Sequence, residues 1–169
     1  MRYTKAMAVN LSRARFLVFG GVAVAAGALA LRRPGHAATG HFAVTHSDAE
    51  WRRILSPEAY DVMRHDGTET AFSSPLDAER HAGTYRCAGC DLALYSSKTK
   101  FDSGTGWPSF YAPLPHAIAT RNDDSLGMAR TEVHCRRCGG HLGHVFDDGP
   151  RPTGLRYCMN GVALRFVKA

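Results

Sequence analysis

Residues 135–161, CRRCGGHLGHVFDDGPRPTGLRYCMNG, hold a Cys-x-x-Cys pair (Cys135, Cys138), two histidines three apart (His141, His144), paired aspartates (Asp147, Asp148), a Gly/Pro turn and a fifth cysteine, Cys158. Buried polar groups cost stability unless they are paired, so this concentration is poor core material and reads as a site. Within the stretch, 144–146 and 155–159 are β-prone pieces between turn signals. The same rhythm continues outward on both sides, at 92–95, 107–111, 117–120, 128–135 and 162–167. Asn122-Asp123-Asp124-Ser125 reads as a hairpin turn between two of these pieces. The fold class expected is mainly β (α+β), an antiparallel arrangement with short helices in front of it.

Those helices are predicted upstream, where the period changes. Ser47 and Glu50 form a capping box ahead of Trp51, Ile54 and Leu55 on one helical face. Ser56-Pro57-Glu58 offers a second cap with proline at the first helical position, Tyr60 and Met63 continue an apolar face, and Gly67 stops it. The segments 68–75 and 82–85 look irregular or extended, the latter leading into Cys87.

A chain of 169 residues is long enough for one domain with a real core, plus appendages. The net charge of +6 is misleading, because six basic residues (Arg2, Lys5, Arg13, Arg15, Arg32, Arg33) lie in an N-terminal segment without an acid. The remaining 15 Lys and Arg balance the 15 Asp and Glu, so the body is formally neutral and the net charge gives no support for a nucleic-acid-binding face. Residues 16–31 form an uncharged apolar run of sixteen, short for a membrane span and suited to a secretory signal. Gly35-His36-Ala37 supplies small residues for cleavage after Ala37. The division expected is therefore 1–37 as signal peptide, or N-terminal membrane anchor if uncleaved, and 38–169 as the functional domain, exported to a bacterial periplasm. The stretch 12–17 (SRARFL) resembles a twin-arginine export signal with alanine in place of the second arginine.

Cys87-Ala88-Gly89-Cys90 and Cys135-Arg136-Arg137-Cys138 have the spacing of two zinc knuckles. Four thiolates suit a closed tetrahedral Zn(2+) site, which stabilises a fold and leaves no position open for catalysis. With 44 residues between Cys90 and Cys135, the metal would tie two distant hairpins together. The alternatives are a redox dithiol, disfavoured because no βαβ context surrounds either pair, and disulfides, which an exported chain permits.

Cys158 is then the odd cysteine, either a small buried hydrophobe or a reactive thiol. Arg156, two residues away on the same strand face, favours thiolate. Asn160 adds a hydrogen-bonding group on that face, and His141 and His144, in a Gly-flanked loop entering a strand, offer proton donors.

The stretch GGHLGHVFDDGPRPTGLRYCMNG, with FDSGTGWPSF at 101–110 and the two cysteine pairs, resembles the B-type methionine sulfoxide reductases over about residues 45–167. The resemblance implies two antiparallel β-sheets with short N-terminal helices, and reduction of the R epimer of peptide-bound methionine sulfoxide. It makes Cys158 the nucleophile and has His141, His144 and Asn160 engage the sulfoxide oxygen. Trp107 becomes the wall receiving the substrate methyl, with Phe146 beside it, while Asp148 and Arg156 orient the site. A sulfoxide sulfur is electrophilic once its oxygen is protonated or strongly hydrogen-bonded, so a cysteine beside an acid is the chemistry required. Cys158 would be left as sulfenic acid.

Three positions depart from that pattern. Thr105 stands where many relatives carry the cysteine that resolves the sulfenic acid, so the expected partners are oxidised proteins as substrate and an external thiol reductant, thioredoxin-like, glutaredoxin-like or a small thiol. Met159 replaces a usual Ile or Val and is expected to pack on the strand face opposite Cys158. Gly161 replaces a common serine. A monomer is expected. Competing readings are a zinc-stapled binding module and a dithiol oxidoreductase using Cys87 and Cys90.

Overall fold

The capping signals at 47 and 56 sit where two helices begin in the computed structural model, which describes residues 40–169. Helix α1 (Asp48–Ile54) starts on the Ser47/Glu50 box, and α2 (Pro57–His65) starts on Ser56, whose hydroxyl accepts from the Ala59 amide at 3.1 Å. Trp51, Leu55, Tyr60 and Met63 are buried as expected. Ile54 is not: α1 ends there, Leu55 turns to extended backbone, and Ile54 is left 45% exposed. The stop on α2 also differs, because Asp66 takes the left-handed position (φ 55°) one residue before Gly67. Aspartate tolerates that conformation better than most side chains. The leader read at 1–37 lies outside the described residues. Among the described residues no helix is long and apolar enough to cross a membrane.

The strands are β1 (Gly83–Cys87), β2 (Ala93–Ser96), β3 (Lys100–Phe101), β4 (Ser109–Phe110), β5 (Ile118–Asp123), β6 (Arg130–Cys135), β7 (His141–Phe146), β8 (Arg156–Met159) and β9 (Leu164–Lys168). They make two antiparallel sheets, one in the order β2-β1-β9 and one in the order β3-β4-β8-β7-β6-β5. Two expectations shift. Asn122 and Asp123 still belong to β5, and the turn follows them, opened by the Ser125 amide donating to Asp123 Oδ1 at 2.9 Å. His141 and Leu142 are not loop but the start of β7.

The sheets meet through aromatic rings. Tyr95 of β2 stacks on Phe110 of β4 with centroids 4.4 Å apart, and Tyr85 of β1 meets the same ring edge-on at 4.9 Å. Leu94, Val133, Leu142 and Met159 are also fully buried. Met159 accepts a hydrogen bond from the Tyr95 hydroxyl at 3.2 Å through its sulfur, on the core side of β8. Alternation along a strand then sends Cys158 to the other face.

Candidate functional site

The two Cys-x-x-Cys pairs fold into the same turn twice. The amide of the fifth residue donates to the first cysteine's carbonyl, as Asp91 to Cys87 and Gly139 to Cys135, both at 2.9 Å. Each first cysteine's own amide closes the turn, Cys87 on the Leu92 carbonyl at 2.8 Å and Cys135 on that of Gly140 at 2.9 Å. Both fifth residues have positive φ, 62° at Asp91 and 68° at Gly139. The turns face one another: Cys87 and Cys138 sulfurs lie 3.7 Å apart, Cys90 and Cys135 sulfurs 3.5 Å, and all four lie within 4.8 Å of one another. A tetrahedron with Zn–S bonds of 2.3 Å has edges of about 3.8 Å, so the four sulfurs fit a metal ion of this kind and are much too far apart for disulfides. Arg137 braces the pair across the gap, donating to the Cys90 carbonyl at 2.8 Å.

The fifth cysteine lies on the adjacent centre of the larger sheet. Cys158 pairs across strands with His144 of β7 on one side and Ser109 of β4 on the other. Burial pushes its thiol above the ordinary value, although Thr105 and the Arg156 charge pull it down. The expected preference for thiolate is thus reversed at rest: Arg156 sits where predicted, but desolvation outweighs it. Arg156 is itself held by a two-pronged bond to Asp148, 2.8 Å on each arm, and lies over the Phe146 ring at 4.4 Å.

His141 and His144 stand at i and i+3, which on a regular strand would put them on opposite faces. An irregularity in the β6–β7 register between Val133 and His134 brings their rings together, centroids 5.3 Å apart. Gly143 permits it, since a Cβ there would fall on the Cys158 carbonyl. His144 Nε2 bonds Asp123 Oδ2 at 2.7 Å. Burial alone would raise Asp123, but its bonds from Ser125 and His144 and the Arg130 charge hold it well below the usual carboxylate range. Asp123 is therefore an acceptor, Nε2 carries the hydrogen, and Nδ1 of His144 is the nitrogen left for proton exchange. Burial also lowers His144 below the usual imidazole value, against the hydrogen bond to Asp123. His141 is 2% exposed, its Nδ1 bonds Glu132 Oε1 at 2.9 Å, and its Nε2 has no partner.

Trp107 is half-buried and donates from Nε1 to the Glu69 carbonyl at 3.2 Å. Glu69 also accepts from the amides of Gly161 (2.6 Å) and Val162 (2.9 Å), while its own amide donates to Asn160 Oδ1 at 2.9 Å. Asn160 is buried, and its Nδ2 donates to the Leu142 carbonyl at 3.1 Å. Gly161 has no room for a larger residue, because the Ser74 hydroxyl fills the space of a Cβ. Thr105 Oγ1 lies 3.8 Å from Cys158 Sγ and opens a hydroxyl chain through Ser103 (2.8 Å) and Ser109 (2.7 Å) to the Trp107 carbonyl (3.0 Å).

Residues 55–168 match the SelR domain. The chain belongs to this family, that of MsrB. It is 52% identical over 129 residues to the peptide methionine sulfoxide reductase MsrB of Leptospira interrogans, covering 76% of this chain and 98% of that one. Against the MsrB of Agrobacterium fabrum the identity is 53% over 124 residues, covering 73% of this chain and 92% of the relative. Against that of Pseudomonas putida it is 58% over 118 residues, covering 69% and 89%.

Sequence reading missed Glu69, Asp123 and Glu132. Asp123 gives little local signal, because β6 lies between its strand β5 and the His144 strand β7, and the bond forms across it. Glu69 gave none, because its partners lie 38 to 93 residues away.

Proposed function

We propose that the chain reduces the R epimer of peptide-bound methionine sulfoxide to methionine, with Cys158 as nucleophile and a structural zinc ion in the four-cysteine site. The observation that carries this reading is Cys158 standing outside the four-sulfur cluster, half-buried, directly across the strand from His144. Zinc bound by Cys87, Cys90, Cys135 and Cys138 would stabilise the fold, with no coordination position left for substrate.

The resting pair is a protonated thiol and an imidazole with Nδ1 unprotonated, and this sets the order of events. Cys158 passes its proton to His144 as the sulfoxide arrives, and His144 delivers it to the sulfoxide oxygen. The sulfoxide S–O bond breaks and an S–O bond to Cys158 forms. Methionine sulfur is reduced, the cysteine becomes sulfenic acid, and the proton that left the thiol ends on its hydroxyl. His141 faces the oxygen through its unpartnered Nε2, with Glu132 fixing the opposite ring nitrogen. Asn160 acts through Leu142 and Glu69 to hold the end of β8. Trp107 and Phe146 separate the substrate methyl from its oxygen, and so one epimer from the other. Asp148 orients Arg156, whose charge eases formation of the thiolate.

Thr105 cannot form a disulfide, so an external thiol restores Cys158 directly. The acid-free leader is read as an export signal for a periplasmic repair enzyme. Single-turnover reaction with each epimer, with zinc quantified in the same sample, tests the scheme. The R epimer is expected to yield one methionine per protein and one added oxygen on Cys158, with one zinc retained. Cys158→Ser is expected to keep zinc and fold but lose turnover. An intramolecular disulfide, or an active Cys158→Ser variant, would overturn it.

A further inference from the structure

Among the described residues Phe72 is the most open of the large hydrophobic side chains, 71% exposed, and its backbone has φ 64°. It occupies the third position of a turn in which the Thr70 carbonyl accepts the Ser73 amide at 3.2 Å and the Ser73 hydroxyl at 2.6 Å. Positive φ at that position favours glycine, and a side chain there is strained. A ring left in water gains little burial to offset the strain. Single exposed hydrophobic residues are ordinary, but one held in an unfavourable conformation is not.

The turn is fixed against the site. The Phe72 amide donates to the Gly106 carbonyl at 2.7 Å, and a Cβ on Gly106 would come within 2.7 Å of the Phe72 ring and amide nitrogen. Gly106 lies between Thr105, which touches Cys158, and Trp107, which is tied to Glu69 three residues before Phe72. An aromatic ring is thereby held open to solvent at the rim of the pocket.

We propose that Phe72 is a substrate-contacting residue that packs its ring on an apolar side chain next to the methionine sulfoxide, and so favours peptide-bound over free substrate. This rests on the function proposed above. An apolar neighbour is the occupant that fits, because covering an exposed phenyl ring with apolar surface is what association gains here, and free methionine sulfoxide has no such neighbour.

The test compares wild type with Phe72→Ala, Phe72→Gly and Phe72→Tyr on two substrates, a capped Leu-Met(R-sulfoxide)-Leu peptide and free methionine R-sulfoxide, with dithiothreitol as reductant. Loss of one apolar contact should raise KM for the peptide about tenfold with kcat little changed. Kinetics on the free amino acid should stay within about twofold, and Phe72→Tyr should restore the peptide KM. Phe72→Gly should lose peptide affinity without lowering Tm, because glycine relieves the positive φ. Equal effects on both substrates, an unchanged peptide KM, or a large Tm loss in Phe72→Gly would each overturn the contact. Wild type that reduces neither substrate overturns the function itself, and the contact with it.

Discussion

Sulfur stands in two kinds of place in this chain. Four cysteines share one small volume, each supplied by a turn that is complete within six residues and appears twice with the same hydrogen bonds. The fifth depends on distant segments: β4, β7 and β8, the loop carrying Ser103 to Trp107, and Glu69. The cluster is built from short-range rules and then closed across the fold, so losing one ligand defeats the whole. The pocket is built from long-range hydrogen bonds, so losing one support should degrade it by degrees.

The largest effect should come from breaking the cluster. In Cys87→Ser one thiolate is gone, and structural zinc in peptide sites contributes on the order of 10 kcal/mol. That is comparable with the whole stability of a domain, about 5–15 kcal/mol. The variant should therefore lose zinc and cooperative unfolding together, measured by metal analysis and calorimetry, whereas Cys158→Ser keeps both. A Cys87→Ser protein that is metal-free yet melts like wild type would remove the structural role from the cluster.

How much could be read in advance follows the same division. The knuckles, the Ser47 and Ser56 caps and the period-2 pieces are local features. The caps fall where expected and most pieces lie within two residues of a strand, but β5 runs three residues past 120, β7 begins three before 144, and β3 has no counterpart in the periodicity. Cys158 and His144 were legible as chemistry, and their strands brought them together. His141 was legible as a residue type but not as a neighbour, because its placement beside His144 depends on an irregularity in the β6–β7 register that no periodicity reveals. Arg156 was legible on the right face, yet the sign of the Cys158 shift was not, because burial is a property of the whole fold. Asp123 and Glu132 are acids whose meaning comes from the histidine opposite, and Glu69 from amides across the chain.

Glu69 provides the intermediate effect. Glu69→Ala leaves the Gly161 and Val162 amides without their carboxylate, at about 1–3 kcal/mol. The Trp107 indole bonds the Glu69 main-chain carbonyl, which the variant keeps, so any loosening comes from freeing that backbone from Gly161 and Val162. A shift of about 1 Å between Trp107 and Cys158 lowers kcat/KM by about 10–100-fold. Glu69→Gln keeps one acceptor oxygen and should fall between. Trp107 emission should shift while zinc content does not. Stability loss with wild-type kinetics would show that Glu69 braces the fold without positioning the pocket.

The smallest effect should come from Thr105, and its sign can be worked out. Burial is the larger influence on Cys158 and raises it, while the Thr105 hydroxyl at 3.8 Å lowers it. A hydroxyl bonds the thiolate more strongly than the thiol, so Thr105→Val removes a stabiliser of the charged form. Alkylation of Cys158 by iodoacetamide, followed by peptide mass spectrometry, should rise with pH in wild type as thiolate forms. In Thr105→Val the rise should move to higher pH, with a rate at pH 8 lower by a few-fold. Thr105→Ser retains the hydroxyl and should follow wild type. Superimposable profiles for Thr105→Val and wild type would mean that the hydroxyl chain through Ser103 and Ser109 orders the loop without reaching the sulfur. The contrast between a closed cluster and a graded pocket would then end one residue short of the nucleophile.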